Sequence, residues 1–386
     1  MIITEKRNEF HELLDAVQIS NMSDKYIAKM QIETLRDWII ENTPTKLYRY
    51  YSYNPISEHD YNLKNLKNEE IWGSRISVFN DPYECVPCFD LETLVNSIQY
   101  SLRPENVKDF INQIRQGVLN PNVKSLITEE RINDIANGVE PFRDEEIYRT
   151  LQMSAFMLLS YIKEHLPSLV NTFYWEMKQL QLQRYIACFT ENYKASLMWG
   201  HYASSHKGFC AEYDFHSVMS KHSDLCQENK NWATFMLDHP VVPIKYSDKR
   251  VDATTYLTTI IQSQFIQQSD LPMQPLRDLL IATKCLSTKS TAWGYENEWR
   301  LFSPLEKLDG NEHKAMLHIK PTAIYIGVNT PIERAEEIYH ICLEKDIPCF
   351  KMLQKYTTDD FDLDEEPYEI YRNRYFDVLK QATEKS

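Results

Sequence analysis

The chain has 386 residues, of which 43% are hydrophobic and 25% charged, and its formal net charge is −14 at pH 7. This composition is typical of a globular protein with one large domain or two ordinary ones. The negative charge argues against broad binding to nucleic acids or anionic membranes, which depends on accumulated lysine and arginine. Without an evident signal peptide or membrane-spanning stretch, the sequence predicts a soluble, cytoplasmic protein.

The eight cysteines are scattered. The one tight pair, Cys85 and Cys88, lacks a second pair or a histidine at the spacing of a zinc site. We therefore expect reduced structural thiols and no metal centre.

Helical periodicity opens the chain. Apolar residues recur at helical spacing over 5–17 and 26–40, which predicts a helical segment spanning 1–45. An aromatic strand follows over 46–53 and carries Arg49. An arginine in such a strand either caps a sheet edge in solvent or holds an anion with its planar guanidinium, and the pattern leaves both interpretations open.

Turn chemistry comes next. A short helix over 58–69 and a strand over 70–74 precede Asn80-Asp81-Pro82, a strong turn signal. This turn is either purely structural or places Asp81 and Glu84 where they could meet a substrate. From 91 to 183 the pattern is helical, which predicts a helical insertion, with a separately folding domain as the alternative.

A strand over 184–190, a helix over 196–203 and a strand over 209–214 form a compact unit with two histidines in its middle. His201 and His206 are five residues apart, which is not the i, i+4 spacing of a helical metal pair. They are either ordinary structural residues or hydrogen-bond donors to a ligand.

The rest of the chain alternates strands and helices. Together the elements predict an α+β fold: a mixed or antiparallel sheet with N-terminal helices and a helical insertion, in a domain over 46–355. The acidic run over 359–366 predicts a solvated connection within an acidic C-terminal extension over 356–386. The remaining predicted elements are strands over 241–246, 295–302, 315–319, 322–328 and 347–353, and helices over 252–268, 274–285 and 332–345.

The strand predicted over 295–302 places Glu296, Glu298 and Arg300 on one face, because successive side chains of a strand alternate. One interpretation is a solvated face on which the arginine neutralises two glutamates. The other is a small-molecule site flanked by two carboxylates, delivered beside the polar run 287–291.

Several blocks of the sequence resemble a bacterial family known only as domain of unknown function 2971. The resemblance covers residues 46–330 and implies no activity, since that family has no settled one. The blocks are Leu47-Tyr48-Arg49-Tyr50, Phe79-Asn80-Asp81-Pro82-Tyr83-Glu84, Cys188-Phe189-Thr190, Met198-Trp199-Gly200-His201-Tyr202, His206-Lys207-Gly208, Ile244-Lys245-Tyr246-Ser247-Asp248 and Tyr295-Glu296-Asn297-Glu298-Trp299-Arg300.

The order of motifs is also similar to that of ADP-ribosyltransferases, which carry an early arginine or histidine, a middle serine or tyrosine and a late Gln/Glu-x-Glu. Arg49, the region of Ser74 or Ser77, and Glu296-x-Glu298 look like that order. The resemblance implies an enzyme that consumes NAD as a transferase or glycohydrolase. A cell-damaging role, as a toxin or phage-defence effector, would follow from that chemistry.

The same resemblance assigns roles. Arg49 would hold the cofactor pyrophosphate, and Tyr50 would stack on nicotinamide. Glu298 would stabilise the oxocarbenium-like ribose and Glu296 would orient or activate an unidentified macromolecular acceptor. The other candidate nucleotide-binding residues are Ser77, Asn80, Asp81, Trp199, His201, Tyr202, His206 and Arg300.

Two alternatives remain open at this point. One is a divalent-metal nuclease or phosphodiesterase, since carboxylate oxygens suit magnesium or manganese; it would use Asp81, Glu84, Glu296 and Glu298. The other is a sensor or adaptor without enzymatic activity, whose pocket would be built by Trp199, His201, Trp299 and Arg300. Both the NAD and the metal interpretations require Glu298 to share a cavity with other candidate residues, which the sequence does not reveal.

Overall fold

The computed structural model confirms an α+β fold, in which helices surround an open, mixed and mostly antiparallel sheet. It describes isolated positions between 102 and 183 together with residues 2–17, 25–56, 60–101, 184–218, 241–258, 274–304, 317–357 and 359–384.

The helices end close to where the sequence patterns predict. Among the described residues, none of them is long and apolar enough to cross a bilayer. Asp60 caps the third helix by accepting hydrogen bonds from the backbone of Asn62 and Leu63. The helices are α1 (Ile2–Ala16), α2 (Lys25–Asn42), α3 (Tyr61–Asn68), α4 (Leu91–Ser101), α5 (Ser196–Tyr202), α6 (Gln274–Leu286), α7 (Ile332–Lys345) and α8 (Tyr368–Glu384).

The strands are short, and most belong to one sheet. They are β1 (Leu47–Tyr51), β2 (Glu70–Ile71), β3 (Ser74–Arg75), β4 (Arg184–Thr190), β5 (Phe209–Tyr213), β6 (Val241–Pro243), β7 (Lys245–Ser247), β8 (Thr288–Ser290), β9 (Glu298–Pro304), β10 (Leu317–His318), β11 (Ala323–Ile326), β12 (Cys349–Gln354) and β13 (Leu363–Pro367).

The main sheet has the strand order β13-β12-β11-β5-β1-β4-β9-β6, and β3 also pairs with β4. Its one parallel pair in the described part of the chain is β11 and β12, which α7 connects as a crossover helix. In the antiparallel register of β4 and β9, Thr190 lies opposite Glu298 and Cys188 opposite Arg300. The Arg49 strand is therefore separated from the Glu298 strand by β4 alone.

The N-terminal helices complete the core on which β9 rests. Phe10 and Leu35 are fully buried in the same hydrophobic cluster as Leu301. Arg7 of α1 donates from Nη1 to the backbone carbonyl of Glu298 at 2.7 Å, and its Nη2 contacts Glu191 Oε1 at 2.5 Å. Helix α1 thus contacts the backbone of β9 at Glu298, the first residue of that strand.

A histidine of the same helix extends this contact. His11 Nε2 donates to the carbonyl oxygen of Pro243 at 3.0 Å. Burial lowers the pKa of this imidazole to about 4. His11 therefore acts as a neutral hydrogen-bond donor to β6.

Predictions of local structure are wrong in three ways. The strand predicted over 295–302 begins only at Glu298, because residues Thr291–Glu296 form a 3₁₀-helix and Asn297 is left-handed with φ of 44°. Two predicted strands are each divided: 70–74 into β2 and β3, which pair in different sheets, and 241–246 into β6 and β7.

The third error concerns the acidic run 359–366. Its second half is β13, which pairs with β12 and buries Leu363. The aromatic segment after it forms α8. Of the predicted helical insertion, α4 is confirmed, while most of 102–183 lies outside the described residues, as does the predicted helix over 252–268 beyond residue 258. The division into segments 1–45, 46–355 and 356–386 stays a prediction.

Candidate functional site

A cavity of about 340 Å³ lies against β1, β4 and β9. Its wall contains both Arg49 and Glu298, so the first and last motifs of the predicted site meet in one place. The predicted site residues that line it are Arg49, Tyr50, Asn80, Tyr202, Glu296, Glu298 and Arg300.

Five buried charged residues form one side of this cavity, and we call them the charged cluster: Glu84, Lys289, Glu296, Glu298 and Arg300. Each has at least one ion-pair partner within the cluster. Isolated charges would be very costly at this depth, so the cluster depends on mutual compensation.

Arg300 holds two of the carboxylates. Its side chain is 0% exposed; Nε donates to Glu298 Oε1 at 2.7 Å and Nη2 to Glu84 Oε1. Nη1 donates to the backbone carbonyl of Leu286 at 2.7 Å. Although Arg300 lines the cavity and was a predicted ligand-binding residue, these nitrogens are directed at protein groups, so the side chain positions carboxylates.

Lys289 lies among all three carboxylates. Its Nζ is 2.6 Å from Glu296 Oε2, 3.1 Å from Glu298 Oε2 and 3.8 Å from Glu84 Oε2. Lys289 lies in the polar run 287–291 and was not among the predicted site residues. The sequence did offer one signal for its role, because this lysine precedes Glu296 by only seven positions.

The two carboxylates of the Glu296-x-Glu298 motif ionise differently. Burial opposes the charge on Glu298, but Arg300 and Lys289 outweigh it and lower its pKa to about 2. Burial and the neighbouring charge of Glu298 raise the pKa of Glu296. Carboxyl pairs whose pKa values are pushed apart are typical of acid–base chemistry.

Local backbone structure directs both glutamates into the cluster. Thr190 Oγ1 donates to the Glu296 carbonyl at 2.6 Å, and Glu298 N donates to the Tyr246 hydroxyl at 2.7 Å. Between them, Asn297 takes the left-handed conformation that asparagine tolerates better than most residues. The chain therefore passes from the 3₁₀-helix into β9 with both carboxylates in the cluster.

Tyr202 of α5 closes the cluster on the side of Glu296. Its hydroxyl donates to Glu296 Oε1, and burial together with this bond raises the pKa of the phenol. The tyrosine is therefore neutral and remains a donor at physiological pH.

The opposite part of the cavity contains a cation and aromatic rings. Arg49 Nη2 donates to the Trp72 carbonyl at 2.7 Å, whereas its buried Nη1 has no hydrogen-bond partner in the structure as described. The guanidinium lies over the rings of Tyr51 and Phe189, at 5.4 and 5.7 Å from their centroids. A half-buried guanidinium with one buried, unpaired donor suits an anionic ligand.

Some predicted residues lie outside the cavity wall. Ser77 and His201 are exposed, and Ser74 lines the cavity instead of Ser77. Trp199 is fully buried and donates from Nε1 to the Tyr193 carbonyl at 2.7 Å. His206 stacks on it, with ring centroids 6.4 Å apart. Trp199 and His206 thus pack on each other outside the cavity wall.

A second cavity of about 520 Å³ lies beside the first and shares Glu84 and Lys289 with it. Asp81 belongs to this second cavity. Its carboxylate accepts hydrogen bonds from Trp293 Nε1 at 2.9 Å and from the backbone of Tyr83 at 2.8 Å. Asp81 thus stabilises the predicted turn and does not join the cluster.

The metal and sensor alternatives fit this geometry less well. Within the described ranges, no three His, Cys, Asp or Glu residues are arranged to hold a metal ion. The space among the three carboxylates of the cluster is taken by the ammonium group of Lys289. Trp299, proposed for the sensor pocket, bonds Glu191 instead and does not line the cavity with Arg300.

Residues 198–301 match the family model described as Protein of unknown function (DUF2971). The match supports the resemblance to that family and includes Lys289, Glu296, Glu298 and Arg300, while Arg49 and Glu84 precede it. Comparisons with curated proteins and with solved structures give no match. They therefore lend no support to the likeness to ADP-ribosyltransferases.

Proposed function

We propose that the chain is an enzyme that cleaves the bond between nicotinamide and ribose in NAD, transferring ADP-ribose to water or to an acceptor. The observation that carries the proposal is the cavity that contains both Arg49, with its free guanidinium nitrogen, and the buried, ionised Glu298. The first suits a phosphate group and the second suits a developing cation.

In this proposal Arg49 binds the pyrophosphate, and the aromatic side chains near it, including Tyr50, contact the flat parts of the nucleotide. The cavity is at the small end of the range for ligand pockets. It therefore suits the nicotinamide ribose and a phosphate, with the adenosine half extending toward solvent.

The chemical step breaks the C1′–N bond, and its electron pair leaves with nicotinamide. The ribose becomes oxocarbenium-like, as in glycoside cleavage. Glu298 would stabilise that positive charge, because Lys289 and Arg300 keep it ionised at any physiological pH.

The second carboxylate would complete the reaction. The oxygen of water or of an acceptor hydroxyl forms the new bond to C1′, and its proton passes to Glu296. A base works best when its pKa lies near the working pH, and the pKa of Glu296 is raised in that direction. Tyr202 would hold this carboxylate in place through its hydrogen bond.

The direct test is nicotinamide release from NAD by the purified protein and by the Glu298→Gln variant, which keeps the shape of the side chain but removes its charge. We expect release to fall by at least about 100-fold in the variant, the size of loss seen when one transition-state electrostatic contact is removed. Glu212→Gln is the matched control, since Glu212 is a buried carboxylate of the same sheet that lines neither described cavity.

Two further outcomes bear on the proposal. Loss of NAD harms a cell, so expression of the wild-type chain is expected to slow growth and expression of Glu298→Gln to relieve this effect. The proposal is wrong if the wild-type protein releases no nicotinamide and labelled NAD also fails to mark proteins or nucleic acids in a cell extract.

A further inference from the structure

Two buried side-chain atoms of the cavity wall have no hydrogen-bond partner in the described part of the protein: Nη1 of Arg49 and Oε2 of Glu84. Lys289 Nζ lies 3.8 Å from the Glu84 oxygen, which is beyond hydrogen-bond distance. A buried polar atom without a partner is costly, so such atoms in a cavity wall indicate groups of a ligand. Arg49 Nη1 requires a hydrogen-bond acceptor on the ligand, and Glu84 Oε2 requires a hydrogen-bond donor.

The position of Glu84 indicates which part of the ligand it meets. Its other oxygen, Oε1, accepts a hydrogen bond from Arg300 Nη2, and the same guanidinium bonds Glu298. Glu84 is therefore separated by one guanidinium group from the carboxylate assigned to the ribose. Because both glutamates also line the same cavity, a ligand group at Glu84 lies on the same side of that cavity as the ribose.

An aromatic ring adjoins this position. Phe79 lines the cavity, and the Arg300 guanidinium lies 5.5 Å from its ring centroid. A flat, apolar neighbour beside a carboxylate suits a heteroaromatic ring with a polar substituent better than it suits a sugar hydroxyl.

We propose that Glu84 recognises the carboxamide of the nicotinamide group, accepting its N–H at Oε2, and that it thereby selects NAD against the dinucleotide that carries nicotinic acid. This inference rests on the proposed function. Nicotinic acid has a carboxylate in place of the carboxamide, so it offers no donor and places a second negative charge against Glu84. A site built around one hydrogen bond rejects an analogue that lacks the donor, and like charges add repulsion.

The test compares the affinities of NAD and nicotinic acid adenine dinucleotide by titration calorimetry. It uses the Glu298→Gln background so that turnover does not consume either ligand. We expect NAD to bind at least about tenfold more tightly. Adding Glu84→Gln supplies an amide that can donate to a carboxylate, and we expect the affinity ratio to fall to within about threefold or to reverse.

The matched control is Asp248→Asn, which removes a carboxylate from the second cavity and should leave the ratio unchanged. Because each ratio is internal to one protein, a change in stability does not imitate the effect. The ratio in the Glu298→Gln background alone can overturn the proposal if the Glu84→Gln variant does not fold.

Three outcomes overturn the inference: equal affinity for the two dinucleotides, no binding of either, or a ratio that Glu84→Gln does not change. Equal affinity is also the result expected if Glu84 bonds a ribose hydroxyl. If the wild-type protein releases nicotinamide but the Glu298→Gln protein binds both dinucleotides equally, the proposed function stands and the role of Glu84 does not. If the Glu298→Gln protein prefers NAD but the wild-type protein releases no nicotinamide, the recognition stands and the reaction does not.

Discussion

Two buried glutamates of the main sheet have opposite surroundings. Glu298 of β9 is 3% exposed and bonds two buried cations, Lys289 and Arg300. Glu212 of β5 is 5% exposed, but its oxygens accept hydrogen bonds from the neutral hydroxyls of Thr322 and Tyr325, at 2.8 and 3.0 Å. Its cation, Lys46, is 3.3 Å away with a side chain that is 64% exposed.

The comparison shows that burial alone does not distinguish these two carboxylates. The hydroxyl groups of Thr322 and Tyr325 donate to the two oxygens of Glu212. These hydrogen bonds link β5 to β11 and to the residue before it. Glu298 instead lines a cavity and has a neighbouring carboxyl, Glu296, whose pKa is shifted in the opposite direction. The cavity and the divergent pair are what distinguish the two regions.

The largest expected difference between the regions is in stability when a cation is removed. Arg300→Met removes one of the two cations that the buried carboxylates of Glu84 and Glu298 share, the other being Lys289. We expect the free energy of unfolding to fall by about 3–5 kcal/mol. Lys46→Met removes a mostly exposed lysine and should lower it by less than about 1 kcal/mol. Urea titrations of the three proteins measure both effects.

The conservative variant Arg300→Lys serves as a control for the loss of side-chain volume. A lysine keeps one charge but not the branched geometry that reaches both carboxylates, so an intermediate loss is expected. Similar losses for Arg300→Met and Lys46→Met would contradict the contrast drawn between the two regions.

The next effect concerns pH. Glu296 must be ionised to accept a proton. In a profile of kcat/KM for NAD cleavage against pH, the value should therefore be high above the raised pKa of Glu296 and should decrease as the pH falls through it, which gives the profile an acidic limb. Tyr202→Phe removes a hydrogen bond that favours the ionised form. We expect the acidic limb to move to higher pH by roughly half a unit to one unit, since one such bond contributes about 1 kcal/mol.

Glu298 does not obscure this limb, because its pKa of about 2 lies below the range in which the protein would be assayed. Tyr193→Phe is the control: its hydroxyl bonds Glu365, away from the cavity, so the limb should stay in place. A Tyr202→Phe profile that coincides with the wild-type profile would remove Glu296 from the role of base.

The smallest expected effect belongs to the Glu212 region. Thr322 is exposed at its surface, and Thr322→Val removes one of several hydrogen bonds to Glu212. The free energy of unfolding should fall by about 1 kcal/mol or less, with unchanged nicotinamide release. A marked loss of release in this variant would mean that Glu212 influences the reaction and that the two regions are not independent.

Much of the fold could be predicted from periodicity and turn residues. Helix α7 follows the predicted range 332–345, and β1, β4 and β5 lie within their predicted strands. The failures come from tertiary pairing. The acidic β13 forms a strand because β12 offers an unpaired edge and a place for Leu363, and neither is visible in a local sequence pattern.

The site could be predicted only in part. Glu296 and Glu298 do converge, but through a left-handed Asn297 at the end of a 3₁₀-helix and not through strand alternation. Lys289 was missed because its pairing with both glutamates depends on that turn. Ser77, His201 and His206 do not line the cavity, because the direction of their side chains depends on long-range packing that a local sequence pattern does not show.

The contact between Arg7 and the backbone of Glu298 joins residues 291 positions apart, and the pair of Glu84 and Arg300 spans 216 positions. On the ribosome, the early cation and the early carboxylate therefore leave the exit tunnel long before their partners exist. Contacts of such long range form late in folding. An incomplete nascent chain consequently has no assembled cluster, and the chemistry proposed for the cavity becomes possible only after β9 has been synthesised.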